Sequence, residues 1–239
     1  MSEVNGQRHL DWDGCFNVRD LGGLSAAGGH TTRWGAVVRA DAVDRLTGDG
    51  WAALEAHGVT TVIDLRNEDE LGADVAPRPG SITTLHVPLD GVEDTEFWDH
   101  WQEQAQPTYY GPFLGRFPSR IVDVLSSLAR ADGGGVLIHC VGGRDRTGLI
   151  SMLLLALAGV AHDDIAEDHA LSTERLVALY ERSGEPDQGA MIDELLEREG
   201  TTARRIILDT LRSLDVERYL RSAGLGEDDL AAVRERLLA

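Results

Sequence analysis

VLIHCVGGRDRTGLISMLLLALAGV, residues 136–160, decides how this chain is built. VLIHC is a short apolar run of the kind that forms a strand covered on both faces. TGLISMLLLALAGV (147–160) is longer and reads as a buried helix. Between them there is room only for a tight loop, in which two glycines are followed by two arginines around an aspartate. A loop at the C-terminal edge of a strand and the start of a helix is where α/β sheets bind ligands.

Outward from this stretch the chain alternates strands and helices and then turns helical. WGAVVRA (34–40) is a candidate strand, LTGDGWAALEAHG (46–58) a helix stopped by Gly58, TTVIDLR (60–66) a buried strand, and ITTLHVPLD (82–90) another that ends at Asp90. EDTEFWDHWQEQAQPTYYGPF (93–113) is acidic, aromatic and interrupted by proline, the pattern of a surface lid or an irregular helix. A helix from about Ser119 to Ala131 carries Ile121, Val122, Leu125 and Leu128 on one face, and GGG turns it into VLIHC. From Asp163 onward the pattern is helical, with breaks at 183–189, Gly200 and Gly224. With no internal repeat or low-complexity linker, the expectation is one α/β domain over 1–239. It would hold a central, mostly parallel sheet flanked by helices, with a helical C-terminal part from about 163 to 239.

Charge narrows the partners. A formal net charge of -19 repels nucleic acid and anionic lipid at long range, so neither is an expected partner. Any anion site has to be a local cationic pocket in an acidic body. All 22 basic residues are arginine, so the choice of arginine over lysine at one position carries little weight. The opening MSEVNGQRHLDWDG has no cationic start followed by an apolar stretch, and LISMLLLALAGVA is too short to span a bilayer. Cys15 and Cys140 make no disulfide framework, and a reducing, cytoplasmic setting is expected.

The loop has the parts of an anion cradle. Its backbone N–H groups, turned inward beside the helix dipole, form a nest for a phosphate-sized anion, with Val141, Gly142, Gly143, Arg144, Asp145, Arg146 and Gly148 as the candidate binding residues. The same field favours a thiolate at Cys140. Arg146, in the first turn of the helix, is on the wrong side of the macrodipole unless an anion lies beside it. Its guanidinium can hold two phosphoryl oxygens as charge redistributes in the transition state. Thr147 can place a hydroxyl on the sulfur and help it leave, while Gly143 and Gly148 permit close backbone approach. Together these parts describe covalent hydrolysis of a phosphate ester: Cys140 attacks phosphorus, a phosphocysteine forms, and water cleaves it to inorganic phosphate.

His139, Cys140, Gly143, Arg146, Thr147 and Gly148 fit the pattern H-C-x-x-G-x-x-R-[ST]-G, and on these residues the chain resembles the cysteine-based protein tyrosine phosphatases. HCVGGRDRTG as a whole is most similar to the bacterial tyrosine/serine phosphatases of broad specificity. FNVRDLGG (16–23), VRADAVDRLT (38–47), GVTTVIDLR (58–66) and IAEDHALS (165–172) extend the resemblance over most of the chain. It implies a phosphatase-like α/β fold and hydrolysis of phosphotyrosine, with phosphoserine and phosphothreonine as further substrates, on phosphorylated proteins or peptides. It implies a lysine where this chain has Arg144, and it puts an aspartate on a neighbouring loop at the place of Asp90.

A leaving oxygen needs a proton. Asp90 is the first candidate for the acid; Asp145 is the second, and otherwise orients Arg144. His139 is expected to hydrogen-bond the loop backbone and help tune the thiolate. Cys15 is expected to be an inert core residue, Asp64 and Arg66 a structural ion pair, and Arg19, Asp20 and Arg39 braces of the phosphate loop. Trp98, Trp101, Tyr109 and Tyr110 either stack on an aromatic substrate or pack the loop they belong to. His86, His100 and His169 have no ligand-like spacing, so neither a metal nor another cofactor is expected. Two further readings stay open: a phosphatase of phosphoinositides or small phosphoesters, suggested by two cations in the loop, and a catalytically dead phosphate-binding module. The oligomeric state has no signature in the sequence.

Overall fold

Five strands form one sheet in the order β1-β2-β5-β3-β4: β1 Arg19–Asp20, β2 Val37–Ala40, β3 Val59–Asp64, β4 Thr83–His86 and β5 Gly135–His139. β1 is antiparallel to β2, and β2, β5, β3 and β4 run parallel. The computed structural model describes residues 7–101 and 107–239. Ten α-helices lie among the described residues: α1 Gly48–Ala56, α2 Thr95–Trp101, α3 Tyr110–Arg116, α4 Pro118–Arg130, α5 Arg146–Leu157, α6 His162–Ser183, α7 Gln188–Arg198, α8 Ala203–Ser213, α9 Val216–Ala223 and α10 Glu227–Leu237. None is long and apolar enough to cross a membrane.

The central strands β2, β5 and β3 are buried because both faces of the sheet are covered there, whereas β4 at the edge is mostly exposed. Val37, Ile63, Val136 and Ile138 point into one cluster, where α2 to α6 and α8 to α10 pack. Val38, Val62 and Leu137, the alternate residues, point into a smaller cluster with Trp51 and Leu54 of α1. α5 is buried on nearly every side, which is why its run of leucines shows no polar face. α4 is the opposite case, burying Ile121, Val124, Leu125 and Leu128 at i, i+3, i+4 and i+7. Val124 thus replaces the expected Val122, which is half-buried.

Several expectations shift at their edges. Trp34–Ala36 precede β2 as turns, and β1, two residues long, had no readable pattern. The stretch 82–90 is a strand only to His86; Pro88 has no N–H for a ladder, and the chain leaves the sheet through Val87 N–H to Asp64 O and Leu89 N–H to Leu65 O. Asp90 therefore stands on a loop beyond β4 rather than at a strand end. Residues 93–113 hold α2 and the start of α3, fastened to the core by Phe97, Tyr110 and Phe113; residues 102–106 of that stretch lie outside the described residues. The C-terminal helices break where expected and also at Leu214–Asp215, where the Asp215 carboxylate caps α9 by accepting from Arg218 N–H.

The topology gathers four loops at the C-terminal ends of the parallel strands: 41–47 after β2, 65–70 after β3, 87–94 after β4 and 140–145 after β5. This is the edge on which α/β sheets bind ligands.

Candidate active site

These loops enclose a cavity of about 450 Å³ with Cys140, Val141, Gly142, Arg144, Asp145 and Arg146 on its floor. Glu70 and Asp90 form one wall, Trp98 and Tyr109 another, and Leu176, Leu179 and Tyr180 of α6 close the far side. A larger open groove, about 640 Å³, lies at the opposite ends of the strands beside Trp34 and His57. Its arginines, Arg33 and Arg236, are already spent on backbone carbonyls at chain turns and helix ends.

Cys140 is the first residue past β5, and α5 starts six residues later at Arg146. Gly143 makes that turn possible: its φ is +67°, and a Cβ there would meet Ala40 O at 2.3 Å. At Gly148 a Cβ would lie 3.0 Å from both Tyr110 and His169, so a side chain there would have to push one of them aside by a few tenths of an ångström. Asp145 is the N-cap residue of α5, yet its side chain makes no capping hydrogen bond. It turns instead to Arg144 Nε–H at 3.1 Å, which leaves the amides of the first helical turn to the cavity.

Arg146 has the anion its position demands, supplied by other loops. Glu70 takes both terminal nitrogens of its guanidinium, at 2.5 and 2.6 Å, and Asp90 Oδ2 lies 3.2 Å from Nη1. Glu70 is itself fixed by a capping box, accepting Asn67 N–H at 2.8 Å. Burial pushes the Glu70 acid up, but the hydrogen bonds from Arg146 and Asn67 N–H and the charges of Arg146 and Arg66 together outweigh it and hold the acid below its ordinary value. Glu70 was not singled out from the sequence; the N-x-x-E spacing of Asn67 and Glu70 is the signal that could have found it.

Asp90 behaves in the opposite way. Burial raises its pKa to about 6, against the charge of Arg146 and with help from Glu70. Its Oδ1 is buried without a hydrogen-bond partner among the described residues, and its Oδ2, beside Arg146, accepts a long contact from Asn67 Nδ2 at 3.4 Å. A carboxyl so placed keeps a proton to give near neutral pH.

His139 is fully buried, and burial lowers its pKa to about 4, so it is neutral. A carbonyl can only accept, so Nδ1–H donates to Cys140 O at 3.1 Å, and Nε2 faces Asp64 at 3.5 Å. Thr147 is fully buried, and its hydroxyl has no hydrogen-bond partner among the described residues, the sulfur of Cys140 included. Asp64 and Arg66 form a buried ion pair extended by Asp44. Cys15 packs in the core, where burial raises its pKa well above the ordinary value.

The expected braces separate into two groups. Arg39 donates to Gly143 O at 2.7 Å, and Arg19 holds Asn17, whose Nδ2–H donates to Gly142 O at 2.9 Å. Asp20 does not touch the loop: its carboxylate accepts from Gly22 and Gly35 amides and pairs with His57. The aromatic set also divides. Trp98 and Tyr109 line the cavity, Trp101 packs against the core, and Tyr110 is fully buried, its hydroxyl donating to Asp145 O at 2.7 Å. His169, whose spacing is not that of a metal ligand, sits 3.1 Å from that hydroxyl.

Residues 10–239 match the model of the tyrosine phosphatase family. The chain is 31% identical to a provisionally named tyrosine-protein phosphatase of Cupriavidus necator, over all of this chain and 91% of the relative. It is 33% identical to a tyrosine-protein phosphatase of Nostoc commune over 84% of this chain and 74% of the relative. It is 26% identical to the triple specificity protein phosphatase PtpB of Mycobacterium tuberculosis over 94% and 97%. The chain belongs to the tyrosine phosphatase family, and it is a phosphatase.

Proposed function

We propose that the chain dephosphorylates phosphotyrosine in protein or peptide substrates, and phosphoserine and phosphothreonine as well, through a phosphocysteine on Cys140. The observation that carries this reading is Asp90: an acid still protonated near pH 6 on the wall of a cavity whose floor is Cys140 and Arg146. The loop amides and the Nε–Nη2 edge of Arg146, which Glu70 leaves open by holding the terminal nitrogens, take the phosphoryl oxygens. Cys140 sulfur bonds to phosphorus as the ester P–O bond breaks, and the leaving oxygen takes the proton of Asp90. The Asp90 carboxylate then accepts a proton from water as that water attacks phosphorus and releases the thiolate, toward which the Thr147 hydroxyl turns. Asp145 in this scheme holds Arg144, and Trp98 and Tyr109 give an aryl ring an apolar wall.

Serine and threonine esters belong in the reading because the phosphate loop resembles that of the bacterial tyrosine/serine phosphatases of broad specificity; the name of the mycobacterial relative carries the words triple specificity. Glu70, Asp90, Asp145 and Glu185 all line the cavity and oppose a headgroup bearing several phosphates, so phosphoinositides rank below phosphopeptides. A substrate panel of phosphotyrosine, phosphoserine and phosphothreonine peptides against soluble phosphoinositides decides between the two. The two unpaired thiols suit a reducing, cytoplasmic setting, and residues 1–239 act as one unit.

Cys140→Ser is expected to abolish turnover of an aryl phosphate while phosphate still binds; residual turnover above a few per cent removes Cys140 as nucleophile. Arg146→Lys keeps the charge but loses two-point binding and is expected to cost about 100-fold or more in kcat/KM. A mild loss would make Arg146 a structural partner of Glu70.

A further inference from the structure

Asp168 of α6 is 1% exposed and gathers guanidinium groups from three places in the sequence. Its carboxylate pairs with Arg8, with Arg19 Nε at 3.1 Å and with Arg39 Nη1 at 2.7 Å. Its backbone oxygen accepts from Arg19 Nη2 at 2.7 Å, and one turn on, Ser172 Oγ accepts from both Arg19 and Arg39. Two arms run from this anchor to the phosphate loop. Arg39 Nη2–H reaches Gly143 O at 2.7 Å; Arg19 holds Asn17 Oδ1 at 2.6 Å, and Asn17 reaches Gly142 O at 2.9 Å.

A trans peptide is planar, with C=O and the following N–H on opposite sides. A carbonyl bound from outside the loop therefore commits the next N–H to the inside. We infer that Asp168 is a positioning residue of the phosphate cradle: through Arg39 and through Arg19–Asn17 it holds the Gly143 and Gly142 carbonyls outward and so aims the N–H groups of Arg144 and Gly143 at the bound phosphoryl group. The adjoining Val141 carbonyl is held the same way by Ala42 N–H at 3.0 Å, so three consecutive planes face one way. Gly142 and Gly143 have no side chain to resist the alternative flip, which is why an external anchor matters here and not in the helix that follows. Both Nη atoms of Arg39 are occupied, one by the anchor and one shared by Ser172 and the loop, while its Nε has no hydrogen-bond partner among the described residues.

The inference rests on reading 140–146 as a phosphate cradle, and the test separates the two. Inorganic phosphate is used as a competitive inhibitor of aryl phosphate turnover, at a temperature where each protein is folded by near-ultraviolet circular dichroism. Failure of phosphate to compete in the parent protein would overturn the cradle itself. Asn17→Ala removes the Gly142 arm; Arg39→Lys keeps the charge but cannot span Asp168, Ser172 and Gly143 together. Each is expected to raise the phosphate inhibition constant and KM by about tenfold, the scale of one charge-assisted amide contact. An inhibition constant within about twofold of the parent in folded variants, with only the melting temperature lowered, would overturn the anchoring. Should Arg39→Lys not fold, Asn17→Ala, which leaves all three Asp168 ion pairs in place, decides alone.

Discussion

Asp168 and Asp90 are both buried aspartates beside arginine, and they titrate in opposite directions. At Asp168 burial would raise the acid, but the charges of Arg19, Arg8 and Arg39 and their hydrogen bonds reverse it and hold the group well below the ordinary carboxylate range. At Asp90, 14% exposed, burial wins and the pKa rises to about 6. Proximity to a cation does not explain the contrast, since Arg146 Nη1 is only 3.2 Å from Asp90. Hydrogen bonds do. Both oxygens of Asp168 accept from guanidinium groups, whereas Asp90 has one oxygen without a hydrogen-bond partner among the described residues and shares its cation with Glu70, which has already taken both terminal nitrogens. One carboxylate is thereby committed to holding structure; the other is left able to exchange a proton.

Removing the charge at each site should break the comparison in opposite ways. Asp168→Asn leaves Arg19 and Arg39 buried without a carboxylate among the described residues and is expected to destabilise by about 3–5 kcal/mol in urea unfolding. A loss below about 1 kcal/mol would mean that Ser172 and the loop carbonyls suffice as partners. Asp90→Asn is expected to lower kcat about 100-fold on alkyl phosphates and much less on p-nitrophenyl phosphate, whose leaving group needs no proton. If Asp145→Asn alone shows that pattern, the acid is Asp145.

The same Asp90 variant should gain stability where Asp168→Asn loses it. A folded pKa near 6 against an ordinary 3.8 means that folding disfavours the ionised form, at a cost of about 3 kcal/mol at full ionisation, less what Arg146 loses with its neighbour. The contribution of Asp90 to stability is complete below about pH 4 and is lost as pH rises through 6. Asn has no charge to bury, so Asp90→Asn should match the parent near pH 4 and exceed it by about 1–3 kcal/mol above pH 6.5 in paired denaturation curves. Equal stability at every pH would show that Asp90 ionises without strain and would remove the reason for calling it the acid.

Much of this site was legible because its signals are local. The apolar run into Cys140, the glycines and Arg146 at a helix start all act on near neighbours in the chain, and Asp90 ends the second of the two apolar stretches between α1 and α4 that read as strands. Glu70 was hidden among Glu68 and Asp69, three acids that look alike until the loop after β3 presents one of them to Arg146. Asp168 was hidden for the opposite reason: it lies on the buried stripe of α6, three residues after Ile165 and four before Ser172, where a polar residue makes sense only once Arg8, Arg19 and Arg39 arrive from the far end of the chain. Two-residue β1 left no period to read, yet it is the strand that delivers Arg19.

Glu70→Gln probes the finest point of the contrast. The negative charge of Glu70 supports the raised pKa of Asp90, and its grip on Arg146 keeps that cation from turning fully to Asp90. Glutamine retains an acceptor for Asn67 N–H, so the capping box survives, but it loses the charge and half of the fork. Both losses lower the pKa of Asp90. The descending limb of the pH–rate profile on an alkyl phosphate, expected near pH 6, should therefore move down by less than about one pH unit while kcat on an aryl phosphate changes little. An unmoved limb would assign the Asp90 shift to burial alone; an upward move would mean that Glu70 stabilises the Asp90 carboxylate, and the account of how two buried aspartates come to differ would fail at its last step.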